Sequence, residues 1–220
     1  MSSLSVRHER YPIRGAFTIS RGSKKEAAVV VVELSATTAD GVVAAIEARA
    51  PAVTAGMDRL ALQAAMPAGA ARNALDCALW DLECKATGLP AWRLAGLPEP
   101  VPLATAFTLS LATPAEMGRA ARDAAAMPLL KLKLGGGAKD IERVRRVRDN
   151  APNSRLIVDA NEGWTIGQLA LLAPELAALG VALIEQPLPA GQDAALAGFA
   201  SLAPLGADES CHGSGVASSS

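Results

Sequence analysis

The sequence predicts an α+β region followed by an α/β region of about five parallel strands. Three observations predict it. The first hundred residues read strand, strand, then helices. From about Val101 the pattern changes to strict strand–helix alternation, which implies parallel strands joined by crossover helices. In that second region, charged residues recur at the ends of apolar, strand-like runs. Lys133 to Asp159 is 26 residues, Asp159 to Glu185 is 26 and Glu185 to Asp208 is 23. A nearly constant interval of this length fits one strand, one helix and two loops, delivering one chemical group per unit. The expected domains are residues 1–100 and 101–212, with a low-complexity tail at 213–220 that has no packing face.

The elements follow from local pattern. Residues 4–19 read as a strand interrupted around Pro12 and Gly15, and Ile19 to Lys25 as an exposed loop. Ala27 to Leu34 contains Val29-Val30-Val31-Val32, whose β-branched side chains suit a buried strand. Ser35 to Asp40 is turn-like, and residues 41–49 look helical. Residues 69–87 form the strongest early helix, with an apolar stripe of Leu75, Ala78, Leu79, Leu82 and Ala86, stopped by Gly88 and Pro90. Val101 to Ser110 is a strand. Thr113 and Glu116 flank Pro114 as a capping box for a helix to about Ala126. Leu129 to Leu134 is a strand ended by Gly135-Gly136-Gly137, and Asp140 caps the next helix, with Ile141, Val144 and Val147 at helical spacing. Arg155 to Ala160 is a strand. Thr165 and Gln168 cap a helix over 166–179 in which Pro174 is expected to make a kink. Val181 to Glu185 is a strand, 192–202 a weaker helix, and Leu205 to Asp208 a short strand.

Composition narrows the function. Net charge is −1 and there is no basic block, so nucleic-acid and anionic-membrane binding get no support. No apolar run is long enough to span a bilayer, and Met1 to Glu9 lacks a signal-peptide core. Aromatics are only 3% of residues, so small aliphatic side chains must build the core. Cys77, Cys84 and Cys211 fit neither a zinc site nor a disulfide framework. Cys77 and Cys84 share a helix face and are expected to be buried free thiols, in a reducing cytoplasm.

Chemistry concentrates at the strand ends. In Leu130-Lys131-Leu132-Lys133-Leu134 the alternation puts both lysines on one face and the leucines on the other. Taken by itself, this is better explained by an edge strand with a solvated lysine face. Inside a barrel, crowding and partial burial of two ammonium groups would lower the pKa of at least one, fitting it for general-base work. Asp159, Glu185 and Asp208 each end a strand, and barrel strands end at one common mouth. Singly, each carboxylate is better explained as a helix cap. Three together would repel unless a cation lay between them, and all-oxygen ligation suits Mg²⁺ or Mn²⁺ rather than Zn²⁺. A lysine base and a divalent ion have a joint use, in removing the proton α to a carboxylate.

The motifs Lys131-Leu132-Lys133, Asp159-Ala160-Asn161, Ile184-Glu185-Gln186-Pro187 and Ala207-Asp208-Glu209-Ser210, in this order and spacing, resemble the enolase superfamily, muconate-lactonizing branch. Within it the chain looks most like the dipeptide epimerases of L-Ala-D/L-Glu type. Ile19 to Ser23 and Ala74 to Leu82 also read like that group, and the resemblance covers about residues 5–212. It implies an α+β capping domain over a modified TIM barrel, here incomplete at about five strands, and Mg²⁺-dependent epimerisation of such a dipeptide through a metal-stabilised enediolate. It implies Mg²⁺ ligation by Asp159, Glu185 and Asp208, and Lys133 as base, with Lys131 beside it lowering its pKa and touching the substrate carboxylate. Asn161 and Glu209 would support the ligands, and Arg21 would meet the distal carboxylate of a Glu-containing dipeptide, an ordinary solvated loop arginine being an equal reading. The partners implied are a small-molecule carboxylate and, as is frequent in the family, further copies of the chain. Other reactions of the branch, cycloisomerisation or N-acylamino acid racemisation, would use the same core.

The sequence departs from the family pattern in two places. The family carries a second lysine on the next strand, which the interval would put near position ~232, beyond Ser220. The family's longer segment near Leu34 to Gly41 is also lacking. One-sided proton exchange, or an inactive fragment, is therefore also expected.

Overall fold

The computed structural model describes residues 5–19, 22–33 and 40–211. The described residues form two compact units, one of residues up to Pro12 with Glu26–Pro102, the other of Ile13–Lys25 with residues from Leu103 onward.

Strands β1 (Ser5–Ile19) and β2 (Gly22–Glu33) pair in a two-stranded sheet. β1 runs without the expected break at Pro12 and Gly15, and β2 starts at Gly22, so the strand includes most of the expected loop. The helices of the first unit are α1 (Asp40–Glu47), α2 (Ala50–Thr54), α3 (Arg59–Ala65), α4 (Ala70–Thr87) and α5 (Ala91–Leu94). Their core is Val43, Ile46, Val53, Leu62, Met66, Leu75 and Leu79. α4 ends where Gly88 adopts the left-handed conformation (φ +69°). Two expectations for α4 are corrected. Leu82 and Ala86 are exposed, so the buried stripe is Leu75 and Leu79. Cys77 and Cys211 are exposed and Cys84 is half-buried, all three as free thiols. Cys77 lies two residues from both Leu75 and Leu79, about 200° away around the helix.

In the second unit, five strands lie side by side in sequence order, all parallel: β3 (Phe107–Leu109), β4 (Leu129–Lys133), β5 (Arg155–Asp159), β6 (Val181–Glu185) and β7 (Leu205–Gly206). The crossovers are α6 (Pro114–Asp123), α7 (Asp140–Asn150), α8 (Ile166–Ala178) and a 3₁₀ turn at Asp193–Leu196. Both expected capping boxes form, Thr113 with Glu116 and Thr165 with Gln168. α8 runs through Pro174 to Ala178. The strand expected over 101–110 shrinks to Phe107–Leu109; Pro102, inside the expected span, offers no N–H to a ladder. The helix expected over 192–202 is one 3₁₀ turn between Gly191 (φ +84°) and Gly198 (φ +76°).

Register sorts the side chains by face. Leu132, Val158, Ile184 and Leu205 are successive partners across the sheet. The first three are wholly buried, in a core with Met117, Val144, Val147, Leu169 and Leu176 from the helices. One residue further on, Lys133, Asp159, Glu185 and Gly206 form the next row. Alternation turns that row to the opposite face. The fold thus lines up the charged strand ends by burying the apolar row beside them.

The loops after β4 and β5 are locked together near this row. Asp140 is wholly buried; it is the first residue of α7 rather than its N-cap, which is Lys139. Its carboxylate accepts hydrogen bonds from Gly135 N (3.2 Å), Gly136 N (3.0 Å), Arg143 Nη1 (2.9 Å) and Trp164 Nε1 (2.9 Å). Gly136 has φ +74°, and a Cβ there would stand 2.1 Å from the carbonyl oxygen of Gly163. Gly136→Ala is therefore expected to cost about 1–3 kcal/mol, the usual range for overpacking. A denaturation midpoint equal to that of the unaltered chain would show that the two loops do not meet as described.

Candidate active site

The row Lys133, Asp159, Glu185 places three titratable side chains on adjacent strands, with Lys131 two residues before Lys133 on the same face. Lys133 Nζ donates to Asp159 Oδ2 at 2.6 Å. Lys131 Nζ lies 2.9 Å from the same oxygen and donates to Glu185 Oε1 at 2.7 Å. Asp159 is wholly buried, and the two lysine side chains are 22% (Lys131) and 10% (Lys133) exposed. Burial works to raise the Asp159 carboxyl, but hydrogen bonds from Lys133 and Lys131, with their charges, outweigh it and hold it below the usual carboxylate range. Burial works to lower Lys131, and its contacts with Glu185 and Asp159 outweigh that, so Lys131 is raised. Lys131 is thus not a lysine that crowding depresses, because two carboxylates face it. The solvated edge-strand alternative also fails, since β4 lies between β3 and β5 and both lysines are largely buried.

Around this centre Asn161 N donates to Asp159 Oδ1 at 2.9 Å, and Asn161 Nδ2 to Glu209 Oε1 at 3.2 Å. Asn161 and Glu162 both have positive φ (+45° and +65°), which turns the chain sharply just past β5. Phe17 lies with its ring centroid 5.6 Å from Lys133 Nζ. No sequence pattern singles out Phe17; it is one aromatic in a mixed strand.

Asp208 stands apart. Its side chain is exposed, and among the described residues no three His, Cys, Asp or Glu side chains gather closely enough to hold a metal ion. The expected three-carboxylate cluster is thus only two-thirds assembled, for a register reason. Gly206, not Asp208, pairs with Glu185, so the 23-residue interval leaves Asp208 two residues past the end of β7. Gln186, quoted in its motif but given no role from sequence, reaches this segment by accepting a hydrogen bond from Asp208 N at 2.9 Å. Arg21 and the tail at 213–220 lie outside the described residues.

The two carboxylates that do converge are of the donor type a hard cation takes, without by themselves making a complete site. Asp159 and Glu185 supply only oxygen, and both already share one cationic nitrogen, Lys131 Nζ. The site can therefore neutralise positive charge at the mouth of the strands and offers two amines beside it.

Comparison with known proteins converges on one family. Residues 113–218 match the enolase C-terminal domain-like family, and residues 39–96 match the mandelate racemase/muconate lactonizing enzyme N-terminal domain. The chain is 42% identical over 230 residues to L-Ala-D/L-Glu epimerase of Escherichia coli (strain K12), covering 96% of this chain and 71% of that protein. A crystal structure of an enolase family member from Agrobacterium tumefaciens, with homology to dipeptide epimerases and with bound sodium and L-Ala-L-Glu, superposes with TM-score 0.89 at 42% identity, covering 98% of this chain and 71% of that one. The dipeptide epimerase from Enterococcus faecalis V583, complexed with Mg and L-Leu-L-Tyr, gives TM-score 0.83 at 25% identity, covering 96% and 68%.

Proposed function

This chain belongs to the enolase superfamily, and we propose that its site removes the proton α to the carboxylate of a dipeptide of L-Ala-D/L-Glu type. The observation that carries the proposal is the pair of interior amines, Lys131 and Lys133, held against strand-end carboxylates on the next two strands, β5 and β6. The similarity to dipeptide epimerases over nearly the whole chain supports the choice of substrate.

In this reading Lys133 is the base. Its Nζ, once the ammonium has given a proton to solvent, turns from Asp159 toward the substrate and takes the proton from the α-carbon of the C-terminal residue, and the C–H electron pair passes into the carboxylate. Lys131 meets that carboxylate. Asp159 and Glu185, with Asp208, would hold Mg²⁺ or Mn²⁺. Such an ion supplies charge that makes the α-proton more acidic and stabilises the anion left behind. Asn161 and Glu209 hold the Asp159 end in place, and Arg21 would meet the distal carboxylate. We assign residues 1–100 to a cap and 101–212 to the barrel. We place the reaction in a reducing cytoplasm, on the strength of three unpaired cysteines. Among the described residues no helix is long and apolar enough to cross a membrane.

Incubating the chain with L-Ala-L-Glu and Mg²⁺ in D₂O, followed by NMR, tests this. Deuterium is expected at the α-carbon of the glutamate residue. Both amines stand on β4, so deuterium delivered by either of them enters from the side the proton left and preserves the configuration. No incorporation above a Mg²⁺-only blank would overturn the proposal.

A further inference from the structure

Gln186 sits directly after β6 with φ +33°, in the left-handed region that side-chain-bearing residues avoid. Such a conformation costs about 1–3 kcal/mol and persists only where the surroundings over-determine it. Here the side chain does so. Gln186 is 1% exposed. Its Oε1 accepts from Asp208 N (2.9 Å) and Ser210 N (3.1 Å), and its Nε2 donates to Leu188 O (2.9 Å) and Ser210 Oγ (2.9 Å). Its backbone N donates to Gly206 O at 2.7 Å, and its carbonyl accepts from Glu162 N at 2.9 Å.

These contacts replace a strand ladder. β7 ends at Gly206, so strand pairing no longer fixes the segment 207–210. One buried amide takes over, binding the backbone on both sides of Glu209. Gln186 also directly follows Glu185, and Gly206 is the register partner of Glu185. The residue that fixes Asp208 is therefore adjacent in sequence to the carboxylate Asp208 would have to join.

We propose that Gln186 is a positioning residue: it fixes the Asp208 backbone beside the end of β6, from where the Asp208 side chain, apart from Asp159 and Glu185 in this structure, would turn to join them on a divalent cation. The inference rests on the metal-site reading above. Its test reads cation binding directly, by titrating Mn²⁺ and following the free ion by electron paramagnetic resonance. Four chains are compared: the unaltered one, Gln186→Gly, Asp208→Asn and the double variant. Glycine adopts positive φ without strain, so Gln186→Gly removes the amide contacts and leaves the backbone conformation accessible.

Each single variant is expected to bind Mn²⁺ on the order of 10-fold more weakly, as for loss of groups that orient a ligand. The double variant is expected to be no more than about two-fold weaker than the weaker single variant, since both changes remove one contribution. Weakening by Asp208→Asn but not by Gln186→Gly would overturn the role of Gln186 and leave the metal site standing. Weakening by Gln186→Gly alone would overturn it too, because Gln186 would then not act through Asp208. If the unaltered chain fails to bind Mn²⁺, the metal reading and this inference fall together. Should Gln186→Gly not fold, amide exchange in the unaltered chain decides. The N–H groups of Asp208 and Ser210 are expected to be protected, and exchange at the unfolded-chain rate would overturn the inference.

Discussion

Lys133→Ala is expected to slow Mg²⁺-dependent deuterium incorporation into L-Ala-L-Glu by about 10²–10⁴-fold, the range for losing a positioned general base. Lys133 ends β4, in register with Asp159, and its buried amine is aimed into the face where Glu185 and Lys131 also point. The fold should survive the change. Asp159 keeps Lys131 at 2.9 Å, and the apolar core lies on the other face of the sheet. A large loss of exchange with a retained melting transition is thus the expected pair of results. Lys131→Ala provides the contrast. It contacts both Asp159 and Glu185, and in the proposed complex it meets the substrate carboxylate, so its loss should raise KM together with any fall in kcat. If Lys133→Ala exchanged deuterium as fast as the unaltered chain, the base assignment would be wrong, whatever the outcome for Lys131.

How far the site could be read from sequence depended on whether a residue acts through its strand. Lys131, Lys133, Asp159 and Glu185 sit in ladder register, and period-2 alternation with a regular interval was enough to bring them to one place. The capping boxes at Thr113 and Thr165 were readable for a similar reason, because their chemistry is complete within four residues. Asp208 escaped the same logic because its strand is only two residues long and ends before it. Gln186 was not assigned a role because its four side-chain hydrogen bonds go to a carbonyl two residues on and to three groups more than twenty residues away. Asp140 looked like a helix cap, the commonest use of aspartate beside a helix start. Its actual partners, Trp164 and the Gly135–Gly136 amides, are set by the meeting of two loops. The exposure of Leu82 and Cys77 shows the limit of helical periodicity, which orders residues around an axis but does not say how wide the covered stripe is.

Asp159→Asn is expected to lower stability by about 3 kcal/mol, the lower end of the range for breaking a buried ion pair from one side. The asparagine fills nearly the same space and its Oδ1 can still accept one hydrogen bond. It cannot neutralise two ammonium groups that share one carboxylate oxygen at 2.6 and 2.9 Å. Lys131 retains Glu185 at 2.7 Å, which is why the lower end applies; Lys133 is left largely buried without its carboxylate. The same change removes the one fully buried carboxylate of the proposed cation site, so Mn²⁺ affinity should fall by at least about 10–100-fold, the loss already typical of groups that merely orient ligands. The two effects separate in the double variant Asp159→Asn with Lys133→Met. Methionine removes the uncompensated charge while keeping an unbranched apolar chain, so most of the lost stability should return. Mn²⁺ affinity should stay low, because the ligand is still absent. Unchanged affinity in Asp159→Asn would remove Asp159 from the cation site. Stability within about 0.5 kcal/mol of the unaltered chain, the ordinary scatter of surface substitutions, would show that the two ammonium groups do not depend on Asp159. Recovery of affinity in the double variant would mean that Lys133, by competing for the cation's place, had controlled binding all along.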